Sequence, residues 1–316
     1  MKTWNCLTLL LLALPSALSY AYTHPGSLMY PYGPAYNDLL SEVEDDGGEK
    51  FSMSHSFKFF GEIYREVYIN NNGAISFGAP MTEYTPDAFP IKDANMICPF
   101  WADVDNEQFG DIMYRETTDT VLLKQMSDDM NKYFVELNYV ASWAMVVTWH
   151  EVAYHGTESN KTNTFQCVLM SDSLQRCLVV FNYHEIQWIT GTASGGDPMT
   201  GLGGTPAQAG FNTEHEYFNM PMSRTDHIIN IKSTSNVNCP GRWVFRVDHF
   251  QVPNGCLYKD SFMQHGETMW TEDTCNQKCA CRFDGKVHCE EKPCDEGQVC
   301  LPAGRNFLCQ INEEDC

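Results

Sequence analysis

Basic residues are few in this 316-residue chain: 20 Lys and Arg stand against 41 Asp and Glu, a net charge of −21. Nucleic acid and anionic bilayer surfaces would repel it, so neither class of partner is expected. Basic partners and Ca²⁺ stay open, although acidic charge also simply keeps exported chains soluble. Long apolar runs are missing too. The run Leu7 to Leu14 falls short of the ~18 residues that a membrane-spanning helix needs. The polar C-terminal stretch carries no GPI-anchor signal. Catalytic motifs are also lacking. There is no Gly-x-Ser-x-Gly elbow, and the glycines between Gly191 and Gly204 are not followed by the Lys-Ser/Thr of a phosphate loop. His150 and His155 flank a glutamate but stand five residues apart, where a zinc helix needs four. The stretch Val146 to Tyr154 reads as strand, which puts the two rings on opposite faces. We expect no enzyme and no cofactor.

What is present points outward from the cell. Lys2, the apolar run Leu7 to Leu14 and the small residues Ala17, Ser19 and Ala21 make a secretory signal peptide, cleaved after Ser19 or Ala21. Fourteen cysteines are then read as disulfide formers. Cys6 leaves with the leader, so an odd number remains.

After a lead-in rich in Tyr, Pro and Gly (Tyr22 to Tyr36) and an acidic stretch (Glu42 to Glu49), the pattern turns to β. The lead-in is expected to be extended and the acidic stretch to be a mobile loop. Ile63, Val67 and Ile69 alternate with polar neighbours. Asn70-Asn71-Asn72-Gly73 then predicts a hairpin turn with positive φ at both turn positions. Further strands are expected over 133–140, 143–154, 164–170, 178–183 and 242–250. Only Thr118 to Asn131 looks helical, with Val121, Leu122, Gln125 and Met126 on one face. Many short strands with Gly/Pro loops predict a mainly β, antiparallel, sandwich-like domain. Trp143, Trp149, Trp188 and Trp243 read as its core. From Cys256 to Cys316, nine cysteines with almost no aliphatic run predict a small module held by disulfides.

Four cysteines belong to the first domain. Cys167 and Cys177 flank a hairpin turn and share parity with Phe165, Leu169, Val179 and Phe181, so we expect them to pair. Cys98 with Cys239 follows by elimination. Cys256, Cys275, Cys279, Cys281, Cys289, Cys294, Cys300 and Cys309 are expected to bridge within the tail. That leaves Cys316 for an intermolecular bond or a capped thiol. The best cation candidate is Asp103-Val104-Asp105-Asn106-Glu107. Asp103 and Asp105 are the candidate Ca²⁺ ligands, although a turn capped by Asp and Asn beside a buried Trp101 explains the same residues. Asn160-Lys161-Thr162 is a glycosylation sequon in a polar stretch between strands.

Two motifs carry a family resemblance. Ile97-Cys98-Pro99-Phe100-Trp101-Ala102-Asp103-Val104-Asp105 resembles one signature of the nidogen-like (NIDO) domain. The aromatics Tyr183 and Trp188, the seven glycines from Gly191 to Gly210 and the closing Arg242-Trp243-Val244-Phe245-Arg246-Val247-Asp248 resemble the domain's end. The tail resembles a von Willebrand factor C-like module through Cys256, Gly266, Trp270, Cys275, Cys279-Ala280-Cys281, Gly285-Lys286-Val287, Cys289, Cys294, Cys300 and Cys309, with a trypsin-inhibitor-like knot as the alternative. The implied plan is a leader over 1–19, a lead-in over 20–56, a NIDO domain over 57–250, a linker over 251–255 and a Cys-rich module over 256–316. This order is similar to that of the tectorin family. It implies a secreted matrix or cell-matrix adhesion protein whose partners are other matrix proteins; the cysteine left over, Cys316, adds disulfide-bridged copies of itself as expected partners. A soluble regulator that binds a growth factor through its tail is the alternative.

Overall fold

Three long strands in the middle of the chain, 141–154, 163–172 and 177–186, carry central apolar runs and are buried at almost every position. Such strands must be buried on both faces. The computed structural model describes residues 28–42, 46–253, 255–258, 261–271, 274–282, 286–303 and 306–311. The leader and Cys316 lie outside them. The first half of the sandwich comprises β1 (Leu39–Leu40), β2 (Gly48–Phe59), β3 (Glu62–Asn70), β4 (Ala74–Phe77), β5 (Asn95–Trp101), β6 (Val104–Asp105) and β7 (Asp111–Thr117). Helix α1 (Thr120–Tyr133) follows. Then come β8 (Ala141–Tyr154), β9 (Asn163–Asp172), β10 (Cys177–Ile186), β11 (Gln208–Asn212), β12 (Tyr217–Asn219) and β13 (Arg242–Arg246). All pairings are antiparallel. One sheet runs β1-β7-β8-β9-β10-β13 with β6 beside β8, and the other runs β12-β11-β5-β4-β3-β2. Among the described residues no helix is long and apolar enough to cross a membrane.

The layers explain the doubly buried strands. The inner faces of both sheets share one core, in which Phe165, Cys167 and Leu169 of β9 meet Ile97 and Phe100 of β5. Trp149 stacks on Phe165 at 5.0 Å between ring centroids, and Trp143, Trp188 and Trp243 are buried in the same core. The outer face of the first sheet packs Val168, Met170, Leu178 and Val180 against α1. A smaller cluster on the outer face of the second sheet holds Met81, Phe89, Met96, Cys98 and Trp101.

Several local expectations are corrected. The helix starts at Thr120, with the Asp119 carboxylate accepting from the Leu122 N–H at 2.8 Å. Its buried residues are Leu123, Met126, Ser127 and Met130, while Val121 is 77 % exposed. Leu123, Met126 and Met130 stand at i, i+3 and i+7, and this apolar stripe packs on the outer face of the sheet. Ile63 is 62 % exposed although Val67 and Ile69 are buried. The β2–β3 register shifts between Ser52 and Phe57, so Tyr64 takes the inward place against Phe77 at 4.3 Å. At the Asn-rich turn only Gly73 has positive φ (+78°). A Cβ there would stand 2.0 Å from the Phe100 carbonyl oxygen, so glycine is required by space as well as by φ. The domain also begins before residue 57. β2 starts at Gly48, inside the stretch expected to be a mobile loop, and residues 28–38 of the lead-in, expected to be extended, form a strap docked across the first sheet.

The tail folds as β14 (Gly255–Tyr258) with β15 (Ser261–Gln264), and a five-stranded sheet of β16 (Thr268–Trp270), β17 (Gln277–Cys281), β18 (Val287–Glu291), β19 (Gln298–Ala303) and β20 (Asn306–Ile311). The order of that sheet is β18-β17-β16-β20-β19. Among the described residues its buried core comprises Cys256, Met263, Met269, Cys279 and Cys281.

Candidate functional site

The most elaborate polar arrangement is a ladder buried under the strap. Thr148, Gln166, Asn182 and Arg242 are successive cross-strand partners on β8, β9, β10 and β13. Arg242 Nε donates to Asn182 Oδ1 (2.9 Å), Asn182 Nδ2 to Gln166 Oε1 (3.2 Å) and Gln166 Nε2 to Thr148 Oγ1 (3.0 Å). Gln166 also grips the strap. Its Oε1 accepts from the Tyr30 N–H at 3.0 Å and its Nε2 donates to the Tyr30 carbonyl at 3.1 Å. Arg242 reaches the Leu28 carbonyl and lies 3.3 Å from Asp129 on α1, and Tyr30 Oη donates to that carboxylate at 3.2 Å. Burial pushes the Tyr30 phenol well above its usual range, against the pull of Arg242. Further along, Arg115 pairs with Asp38 and donates to the Pro31 carbonyl at 2.7 Å, and Tyr32 Oη meets His150 Nδ1 at 3.1 Å. These groups satisfy one another away from solvent, as buried polar groups must. The ladder is a lock for the strap, with no reactive group presented to a substrate. The sequence carried a faint signal for it: polar residues recur at matching parity in each of four largely apolar strands.

The acidic segment is knitted into the end of the sandwich. Asp103 and Asp105 are both buried, 2 % and 4 % exposed. Asp105 Oδ1 accepts from the Glu107 N–H at 2.9 Å, and its Oδ2 lies 3.9 Å from His155 Nδ1. The Asp103 carbonyl accepts from the His155 N–H at 3.0 Å. Gly191 approaches so closely that a Cβ would stand 2.2 Å from an Asp103 carboxylate oxygen. The buried asparagines join in. Asn71 Nδ2 donates to Asn106 Oδ1 at 2.5 Å, and the Val104 N–H donates to Asn72 Oδ1 at 2.8 Å. This geometry is that of a capped turn. Among the described residues, the one group of three His, Cys, Asp or Glu ligand atoms within reach of a shared ion is Cys275, Cys294 and Cys309, whose sulfurs are in disulfides. His150 Nδ1 meets Tyr32 Oη, and His155 Nδ1 lies beside Asp105.

The cysteines of the first domain do not pair as expected. Cys98, Cys167, Cys177 and Cys239 are free thiols. In the β9–β10 register Cys167 faces Phe181 and Cys177 faces Ser171, four residues apart along the hairpin, too far for a bond. Cys98 lies in the outer cluster of the second sheet, while Cys239 packs under α1 on the far side of the sandwich. Parity alone does not give register, and elimination fails when thiols need not pair. In the tail the eight cysteines bridge as Cys256–Cys281, Cys275–Cys300, Cys279–Cys289 and Cys294–Cys309. Asn160 stands exposed in the loop between β8 and β9. The substitution N160Q is expected to make the secreted chain run faster on a gel by one N-glycan, and to remove its response to peptide-N-glycosidase.

Comparison with known proteins places both parts. A model of the nidogen-like domain matches residues 65–249, and a model of the TILa domain matches residues 255–310. The second match shows a Cys-rich module of the TILa kind and does not confirm the von Willebrand factor C-like label. The tail is Cys-rich as expected, but three residues separate Cys275 from Cys279 and no adjacent Cys-Cys pair closes it. Alpha-tectorin of Mus musculus is 44 % identical over 302 residues, which cover 93 % of this chain and 14 % of that protein. Alpha-tectorin of Homo sapiens is 44 % identical over 306 residues, covering 94 % and 14 %. Nidogen-1 of Mus musculus is 29 % identical over 285 residues, covering 82 % and 22 %. The chain thus spans about a seventh of the length of the alpha-tectorins it matches. No solved structure matches it at a significant level. The first family model covers more than half of the residues, and the chain belongs to the nidogen-like domain family.

Proposed function

We propose that this chain is a secreted, non-enzymatic protein of the extracellular matrix that acts through protein–protein contacts, and whose copies are linked covalently through Cys316. The observation that carries the reading is the likeness of almost the whole chain to alpha-tectorin, supported by its likeness to nidogen-1. The leader sequence and the four tail disulfides suit an oxidising, exported setting. Those four bridges use eight of the nine tail cysteines, so Cys316 has no partner left within the module. Two Cys316 thiols would each give up a proton and an electron to a disulfide of the export pathway's oxidoreductases, forming one bond between copies.

A gel of the secreted protein with and without reductant, beside C316S, tests this. A dimer or ladder is expected that collapses on reduction and is absent from C316S. A monomer in both lanes would overturn covalent assembly. It would favour the soluble-regulator reading, for which binding of a basic growth factor by the tail is the next measurement.

A further inference from the structure

The five-stranded sheet of the tail has two unlike edges. At one end β18 carries Glu290 and Glu291, both exposed, with Lys286 just before it. Charged side chains on an edge strand discourage another strand from pairing there. At the other end β19 is the outermost strand, and Gln298-Val299-Cys300-Leu301-Pro302-Ala303 contains no charge at all. Val299 and Leu301 project from the same face of β19, 36 % and 39 % exposed, and Leu301 lies opposite Leu308 of β20. An uncharged, apolar edge strand is the feature that folded proteins usually avoid.

We propose that the β19 edge is a docking site for a second copy of this chain, the two β19 strands pairing antiparallel about a two-fold axis. Charge selects this occupant. Copies of a chain with net charge −21 repel one another over most of their surface, so they meet best along an uncharged stretch, which β19 is although the exposed Asp295 and Glu296 precede it. A two-fold interface must also be complementary to itself, which a neutral apolar stripe is and a charged one is not. Pro302 has no N–H to offer, so pairing is confined to Gln298 to Leu301. One β19 edge from each copy makes the contact, which therefore closes as a dimer. An interface this small gives a weak, reversible dimer.

The inference deepens the assembly reading and rests on it in one respect: it explains how two Cys316 thiols meet. In the β19–β20 hairpin Ile311 lies opposite Gln298. Across a β20-β19-β19′-β20′ array the two Ile311 positions are separated by three strand spacings, about 14 Å, and by an offset of about 10 Å along the strands. Cys316 follows Ile311 by five residues, a reach of up to about 17 Å from each copy. Two such tails together exceed the gap comfortably.

The test uses the full secreted chain carrying C316S, which removes the covalent route. Sedimentation velocity over a range of concentrations is expected to show a reversible monomer–dimer equilibrium. Adding V299K and L301K should weaken it at least ~10-fold without moving the thermal unfolding midpoint, because both side chains are exposed. The single variants serve if the double variant is not secreted. With Cys316 present, the edge variant should form covalent dimer several-fold more slowly. A C316S chain that stays monomeric at all concentrations, or a dimer that persists unchanged in the folded edge variants, would overturn the proposal. Absence of covalent dimer with the reversible dimer intact would remove the Cys316 bond and leave the edge contact standing.

Discussion

R242M is expected to destabilise the first domain by about 3–5 kcal/mol, the usual cost of removing one partner of a buried ion pair. The protein should be retained in the cell instead of reaching the medium. Arg242 is 6 % exposed at its side chain and satisfies Asn182, the Leu28 carbonyl and Asp129 together. Methionine fills a similar volume but takes the donor from Asn182 Oδ1 and the Leu28 carbonyl, and leaves Asp129 with Tyr30 and Lys132 but without its buried cation; each group that loses its partner carries a desolvation cost. R242K keeps the charge but lacks the planar fork, so it cannot serve all three acceptors at once and should fall between the two. Chemical denaturation of material refolded from inclusion bodies gives the difference directly. A variant within about 0.5 kcal/mol of the parent, the range of ordinary surface changes, would show that the strap and ladder do not lock the domain.

C279S should unfold the tail while the first domain keeps its own transition. The Cys279–Cys289 bridge crosses from β17 to β18, and Cys279 is fully buried in a core of five side chains, three of them cysteines. Loss of a native disulfide from a domain of this size costs about 2–5 kcal/mol, comparable with all the stability such a core can supply. Calorimetry is expected to lose one of two transitions, and limited proteolysis should release the tail. Reductant should act likewise, because the first domain owes nothing to disulfides. Its buried thiols are also protected. Burial pushes Cys98 and Cys167 well above the usual thiol range and Cys177 up to about 12, so alkylation of these three should await unfolding. If reductant melted both transitions together, the assignment of free thiols to the first domain would be wrong.

The two folded parts, the antiparallel β class and the approximate place of the helix were determined by the sequence alone. Alternation, turn residues, tryptophans and cysteine density are local signals, and each reports burial or its substitute without knowledge of the partner. Tertiary structure decided whatever depends on register or on a second surface. Cys167 and Cys177 have matching parity, yet a four-residue offset in pairing separates them. Helix α1 turned its Leu123, Met126 and Met130 face inward because an apolar sheet lay on that side. The lead-in reads only as an extended segment because Tyr, Pro and Gly build no core of their own. Its order comes from Gln166 and Arg242, more than 130 and 200 residues away, which supply the hydrogen bonds that a single extended strap cannot make for itself.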